Sequence, residues 1–325
     1  MAAGEGYNDK FQTKLNKKWQ QKAKDELHED DKELDGAVQS LREWALQQQW
    51  LNTPTDTEYL IRFLRVRKYS QLAARSTLEH YWTARTKYKD WYNSGVSSDN
   101  PVILDLLKSG FYLFTPGEDS EGRRLIIERP GALRVEEVLK KYGTVDVIFQ
   151  AVMCIWDVLN MDERVQVNGF LLLHDGTMSD TDTAKSYNMS TMKRCMHIFQ
   201  KAYPTRIKGL HVYGLPLMFD ALLRFCKTLF SDKIANRLHV HGKSMVSVYK
   251  YIDQSLLPRE YLPDCYSGEC AGTIAEVVDN MVQHFTKPDV IAHIRDLNSG
   301  KYRIDLELKA KSDVPSESYR KLNID

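Results

Sequence analysis

From Phe11 to Trp91 the apolar positions recur at helical spacing, and no alternating run interrupts them. Leu34, Val38, Leu41, Ala45 and Leu46 mark one stripe. Leu60, Phe63 and Leu64 mark a second, and Leu72, Leu78, Tyr81 and Trp82 a third. Tyr69-Ser70 breaks the last two apart. Thr55 or Asp56 supplies a helix cap, and Glu58 is spaced to complete a capping box with Thr55. The pattern predicts a small all-helical module with no strand.

Past the turn-rich "NSGVSSDNP" the texture changes. "GFYLFTPGEDSEGRRLIIERPG" reads as two strands joined by a hairpin. A helical run from about Val135 to Leu159, the strand "GFLLLHD" and a polar helix from about Thr181 to Tyr203 follow. "IKGLHVY" and "NRLHVHG" read as two more strands, with a helix between them. Strands alternating with helices require crossover connections, so the fold class is α/β with a mostly parallel sheet. One more helix from about Ala275 precedes a charged, Ser-containing tail. The chain therefore divides into a helical module (1–95), an α/β domain (96–272) and a C-terminal helix and tail (273–325).

The helix between the last two strands, within "YGLPLMFDALLRFCKTLFSDK", is unusual. At about 100° per residue, Asp220, Arg224, Lys227 and Thr228 occupy one thin polar stripe, and apolar side chains fill most of the rest. A surface helix needs an apolar stripe only a little over about 100° wide. Two readings fit: a helix buried on all sides, or one that meets apolar material on two sides in turn.

Charge adds little: 45 Lys and Arg face 44 Asp and Glu over 325 residues, which argues against nonspecific nucleic-acid binding. The N-terminus has no apolar signal core, and no run of about 18 apolar residues occurs. Five cysteines without a C-x-x-C pair suit free thiols. A cytoplasmic protein without a membrane span is expected.

Catalytic motifs fail in turn. "HGKSM" ends like a phosphate loop, but the glycine required five places before Gly242 is Arg237. Neither G-x-G-x-x-G nor G-x-S-x-G occurs. His239 and His241 share a strand face but lack a companion ligand at a recognisable spacing, so structural histidines are expected and no metal. Cys265 and Cys270 read as free thiols in a loop. No enzyme is expected.

Four basic residues are paired by spacing. Arg206 and Lys208 alternate onto one side of a starting strand, and Lys233 and Arg237 share a helical face. They are either solvated surface charges or the walls of a cleft for a phosphorylated lipid headgroup.

Taken jointly, "LIRFLRVRKYSQLAARSTLEHYW", "DSEGRRLII", "QVNGFLLLHD", "FQKAYPTRIKGLHVYGLPLMF" and "KIANRLHVHG" resemble the CRAL-TRIO lipid-binding family in order and spacing, from roughly Gln20 to Gly268. The resemblance implies a helical N-terminal module on a domain whose mobile gate helix covers a deep apolar pocket. The apolar helix falls on that gate. Pocket positions carried over by the resemblance are Phe111, Glu128, Phe149, Val152, Met153, Trp156, Phe170, Leu172, His174, Ile198, Phe199, Tyr203 and Leu210, with Phe219, Leu222 and Phe225 on the gate's inner face. Alternation independently places Phe170, Leu172 and His174 on one strand face. Glu128 and His174 are the polar members, and burying them requires partners; a ligand carbonyl or hydroxyl, met directly or through water, would supply one.

The same resemblance makes Arg206, Lys208, Lys233 and Arg237 a phosphoinositide-binding cleft. It implies no cofactor, a retinoid or tocopherol-like ligand, and peripheral contact with phosphoinositide-containing membranes. An alternative is a phosphoinositide-sensing adaptor without an obligate apolar cargo. Two departures stand out: "LPREY" runs into "LPDCYSGECAG" without the family's paired glycines, and "ERPGALRVEEVL" is longer than in the tocopherol-transfer branch.

Overall fold

The computed structural model describes residues 11–186 and 189–312. Its helical start comprises α1 (Lys17–Leu27), α2 (Leu34–Gln47), α3 (Thr57–Val66) and α4 (Gln71–Lys87). Asp56, not Thr55, caps α3: its carboxylate accepts from the Tyr59 N–H at 2.8 Å. One strand does interrupt this region. β1 (Leu51–Asn52) pairs antiparallel with β7 (Arg303–Ile304), tying the module to the far end of the chain.

The central sheet follows α5 (Pro101–Lys108). Its strands are β2 (Tyr112–Phe114), β3 (Arg124–Glu128), β4 (Phe170–Asp175), β5 (Ile207–Tyr213) and β6 (Leu238–Val240), and they lie in sequence order across the sheet. β2 and β3 form the expected antiparallel hairpin; every later pairing is parallel. Gly169 lets β4 begin against β5. Its φ is +76°, and a Cβ there would lie 2.2 Å from the Arg206 carbonyl oxygen.

The long helix expected after β3 is two helices, α6 (Val135–Tyr142) and α7 (Asp146–Leu159), which meet at 101°. Gly143 ends the first in the left-handed conformation, with its N–H bonded to Leu139 O. A short α8 (Glu163–Asn168) leads into β4. The polar helix becomes α9 (Thr181–Ser186), α10 (Met189–His197) and a π-helical turn, Ile198–Ala202. The apolar helix expected to be the gate is α11 (Asp220–Leu229), followed by α12 (Asp232–Ala235). After β6 and α13 (Met245–Val248), the described residues of the C-terminal segment hold three helices rather than one: α14 (Ile274–Phe285), α15 (Pro288–Asn298) and α16 (Leu306–Ser312). Pro288 opens α15 at a position where its missing N–H costs nothing, and a Thr273–Glu276 capping box opens α14. The tail beyond residue 312 lies outside the described residues.

Two buried arginines lock the layers together. Arg65, from "FLRVRK", is fully buried and bonds Glu29 at 2.8 Å and Glu163 of α8 at 3.0 Å. Arg85 bonds Asp157 of α7 at 2.7 Å and Asn298 of α15 at 2.6 Å. Among the described residues no single helix is long and apolar enough to cross a membrane.

Candidate functional site

One face of β3, β4 and β5 is roofed by α7, α10, the π-helical turn and α11, and these enclose a cavity of about 200 Å³. Of the sixteen pocket positions carried over by resemblance, ten line it: Glu128, Phe149, Val152, Trp156, Leu172, His174, Phe199, Leu210, Phe219 and Leu222. Six do not. Phe111, Met153, Phe170, Ile198 and Tyr203 are fully buried behind the walls. Phe170 lies on the Leu172–His174 face but under the Trp156 ring, at 4.9 Å. Tyr203 turns its hydroxyl to the Met153 carbonyl at 3.1 Å. Phe225 packs toward α10, with the Lys193 ammonium 5.9 Å from its ring.

The sequence reading missed other walls: Ile148 from α7, Met192, Cys195 and Met196 from α10, and Leu223, Cys226 and Phe230 from the gate segment. Their signal was helical periodicity, since Ile148, Val152 and Phe149 share a face, as do Met192, Cys195 and Met196. Burial pushes the thiols of Cys195 and Cys226 upward, so both are protonated at neutral pH.

The polar end of the cavity is set by strand register. Parallel pairing places Glu128 beside His174, and His174 Nδ1 lies 3.0 Å from Glu128 Oε2. Their side chains retain 24% and 23% exposure. Burial alone would depress the imidazole. The hydrogen bond and charge of Glu128, with Asp175 behind it, outweigh burial and leave the value raised. Ser179 adds a buried hydroxyl on the cavity wall that has no protein partner among the described residues.

The helix α11 sits loosely. None of the ten residues of α11 is fully buried, whereas Phe219 just before it is 5% exposed. Leu217 and Met218, where the chain enters the gate, are 85% and 51% exposed.

The four basic positions fall into two pairs. Arg206 and Lys208 both bond Glu26 of α1, at 2.9 and 3.1 Å. Burial raises that carboxyl, but the two cations hold it down at about 2. Lys233 and Arg237 instead line a groove of about 480 Å³ together with Arg67, a residue of "FLRVRK" that its spacing alone gave no role. Arg67 Nε donates to Thr77 Oγ1 at 2.6 Å. Burial and then Arg237, Arg67, Arg206 and Lys208 depress the Lys233 ammonium, so all five cations share one field. On the opposite face of the sheet, His239 and His241 stack with His211, whose Nδ1 lies 3.0 Å from His241 Nε2. Stacked rings do not converge on a common point, and among the described residues no group of three His, Cys, Asp or Glu is placed to hold a metal ion.

Comparison with known proteins matches residues 108–261 to the CRAL/TRIO domain and residues 30–98 to the Pinta-like UBA domain. The chain is 29% identical to an alpha-tocopherol transfer protein-like protein of Homo sapiens over 271 residues, covering 83% of this chain and 75% of that protein. It is 26% identical to clavesin-1 of Xenopus laevis over 264 residues, covering 80% and 78%. Among solved structures, a crystal structure of Sfh5 aligns with a TM-score of 0.45 at 12% identity, covering 82% of this chain and 92% of that one.

Proposed function

We propose that this chain, which carries a CRAL/TRIO domain over residues 108–261, binds one hydrophobic small molecule beneath α11 and exchanges it at a membrane surface. The observation that carries this reading is the cavity's make-up: aliphatic and aromatic walls with the Glu128–His174 pair among them. A molecule that is apolar along its length and bears one hydrogen-bonding terminus complements such walls. A retinoid or a tocopherol-like prenol lipid has that form, and Glu128 and His174 would hold its carbonyl or hydroxyl, directly or through water.

The cavity of about 200 Å³ falls below the roughly 300–1,000 Å³ that larger ligands occupy. Loading therefore moves α11 outward. Burying each large apolar side chain contributes about 1.5–3 kcal/mol, so lid closure and bilayer contact by Phe219, Leu222 and Leu223 are of comparable size. Balance between the two lets cargo pass. Lys233, Arg237 and Arg67, with Arg206 and Lys208 beside them, would hold phosphoinositide phosphates at that surface. The protein acts as a carrier and performs no covalent step.

Native purification, solvent extraction and mass spectrometry test the reading. One equivalent of an apolar molecule is expected, and Glu128→Leu with His174→Leu should alter its affinity and selectivity. Unchanged binding by that double variant would remove the polar pair from the proposal. The basic groove favours a second reading, a phosphoinositide-sensing adaptor without obligate cargo; an empty cavity together with tight phosphoinositide binding would decide for it.

A further inference from the structure

The groove that holds Lys233, Arg237 and Arg67 continues past these cations to Lys201, His80 and His197. No Asp or Glu lines it among the described residues, although the chain as a whole balances its charges. The two imidazoles, His80 on α4 and His197 at the end of α10, lie tilted against each other with ring centroids 5.8 Å apart. Neither side chain is fully buried. His80 Nδ1 lies 2.5 Å from the Ser76 carbonyl oxygen, and a carbonyl only accepts, so Nδ1 carries the hydrogen. That leaves Nε2 as the ring's acceptor. The charged groups around the pair are Lys87 on α4, Lys201 on the π-helical turn, and Arg67, Lys233 and Arg237 in the groove.

We propose that His80 and His197 are part of the anion site, and that a cluster of phosphomonoesters binds this groove with uptake of a proton at His197. The inference rests on the phosphoinositide reading above and adds its regulation. In the free protein both imidazoles sit among cations with no carboxylate lining the groove. For His197, burial, then His80, Lys87 and Lys201, hold it below its ordinary value. A phosphate cluster reverses the local field and favours the protonated form. Linkage then requires that binding tighten as pH falls through the histidine range. The phosphate's own second ionisation, near about pH 6, works the other way, because a singly charged ester is the weaker ligand. The histidine contribution is therefore read as a difference between wild type and variant.

Two probes separate the sources of the phosphate: phosphatidylcholine vesicles doped with phosphatidylinositol bisphosphate, and soluble inositol trisphosphate. Affinity of the full chain is measured for each at about pH 7.5 and about pH 6. Relative to His80→Gln with His197→Gln, the wild type should gain about fivefold on acidification. Calorimetry in two buffers of different ionisation enthalpy should show greater proton uptake on binding in the wild type than in the double variant. A response with both probes supports the proposal and assigns recognition to the phosphate cluster itself; a response with vesicles alone supports it for a membrane-held headgroup. Binding with identical pH dependence, or with identical proton uptake, in wild type and variant overturns this inference and leaves the phosphoinositide reading standing. Binding of neither probe at either pH overturns both.

Discussion

The Gln200 side chain holds the last residue of the gate: its Nε2 donates to the Leu229 carbonyl at 2.9 Å, while its Oε1 accepts from the Ser231 N–H at 2.8 Å. Leu229 ends α11, so its carbonyl has no partner within the helix and depends on an outside donor. Gln200 stands in the π-helical turn, a wall common to the apolar cavity and the basic groove. One amide thus ties the end of α11 to a wall of the cavity.

Replacing it by a side chain of similar size but no polarity, Gln200→Leu, removes both bonds. At about 0.5–1.5 kcal/mol net for each, the closed lid should lose roughly 1–3 kcal/mol, and release of a bound fluorescent apolar probe should accelerate about tenfold. Stopped-flow transfer to acceptor vesicles measures this directly. An unchanged release rate would mean that the lid turns elsewhere.

The helical module is attached by charge as well as by apolar contact. Arg65 is buried between Glu29 and Glu163, and its Nη1 also donates to Gln166 at 2.8 Å. Arg65→Met would leave two carboxylates uncompensated in the interior, at a cost of about 3–5 kcal/mol. Arg65→Lys should recover only part of this, because an ammonium lacks the planar fork that engages both acids. Urea denaturation of the three proteins tests the ranking wild type, Lys, Met.

Much of this was legible beforehand, and the exceptions share a cause. Alternation along Phe170–Asp175 gave the strand face correctly, and the register pairing Glu128 with His174 follows from two adjacent parallel strands. Depth along a face was not legible: Phe170 and His174 point the same way, yet only His174 reaches the cavity, because Trp156 covers the ring below it. A uniform helix from Thr181 to Tyr203 would keep one angular register. The π-helical turn at Ile198 changes it, sending Phe199 and Gln200 toward the cavity and Tyr203 into the core. The pairing of Leu51 with Ile304 and the approach of Glu26 to Arg206 join positions far apart in the chain, where local periodicity carries no information.

The stacked histidines make one corner of the sheet sensitive to acid. Burial, then His239, His241 and Arg123, depress His211 to about 3 from an ordinary value near 6.5, and burial depresses His241 as well. A depressed histidine is neutral in the folded protein and takes up its proton first in the unfolded chain. Its stability contribution is complete above about pH 6.5 and is lost as pH falls toward the folded value, by up to about 1.4 kcal/mol per pH unit for one proton. Glu26 begins to lose its contribution only below its ordinary value of 4.5, so pH 6.5 to 4.5 isolates the histidines. Thermal melts across that window should show a steeper decline in wild type than in His211→Asn; parallel curves would refute the assignment.

Phe219 seals the entrance to the gate. It is 5% exposed and lines the cavity, in contrast to the half-covered residues of α11 that follow it. Truncating a buried Phe in a well-packed core costs about 3–5 kcal/mol. Here the loss should fall on the lid rather than on the whole fold, since a helix with no fully buried residue can open without dismantling the sheet behind it. Phe219→Ala is therefore expected to speed amide hydrogen exchange throughout Asp220–Leu229 while leaving β4 and β5 protected and the global urea midpoint nearly unchanged. A large fall in the midpoint with uniform exchange would instead make Phe219 part of the common core, and α11 would then be a fixed wall of the cavity.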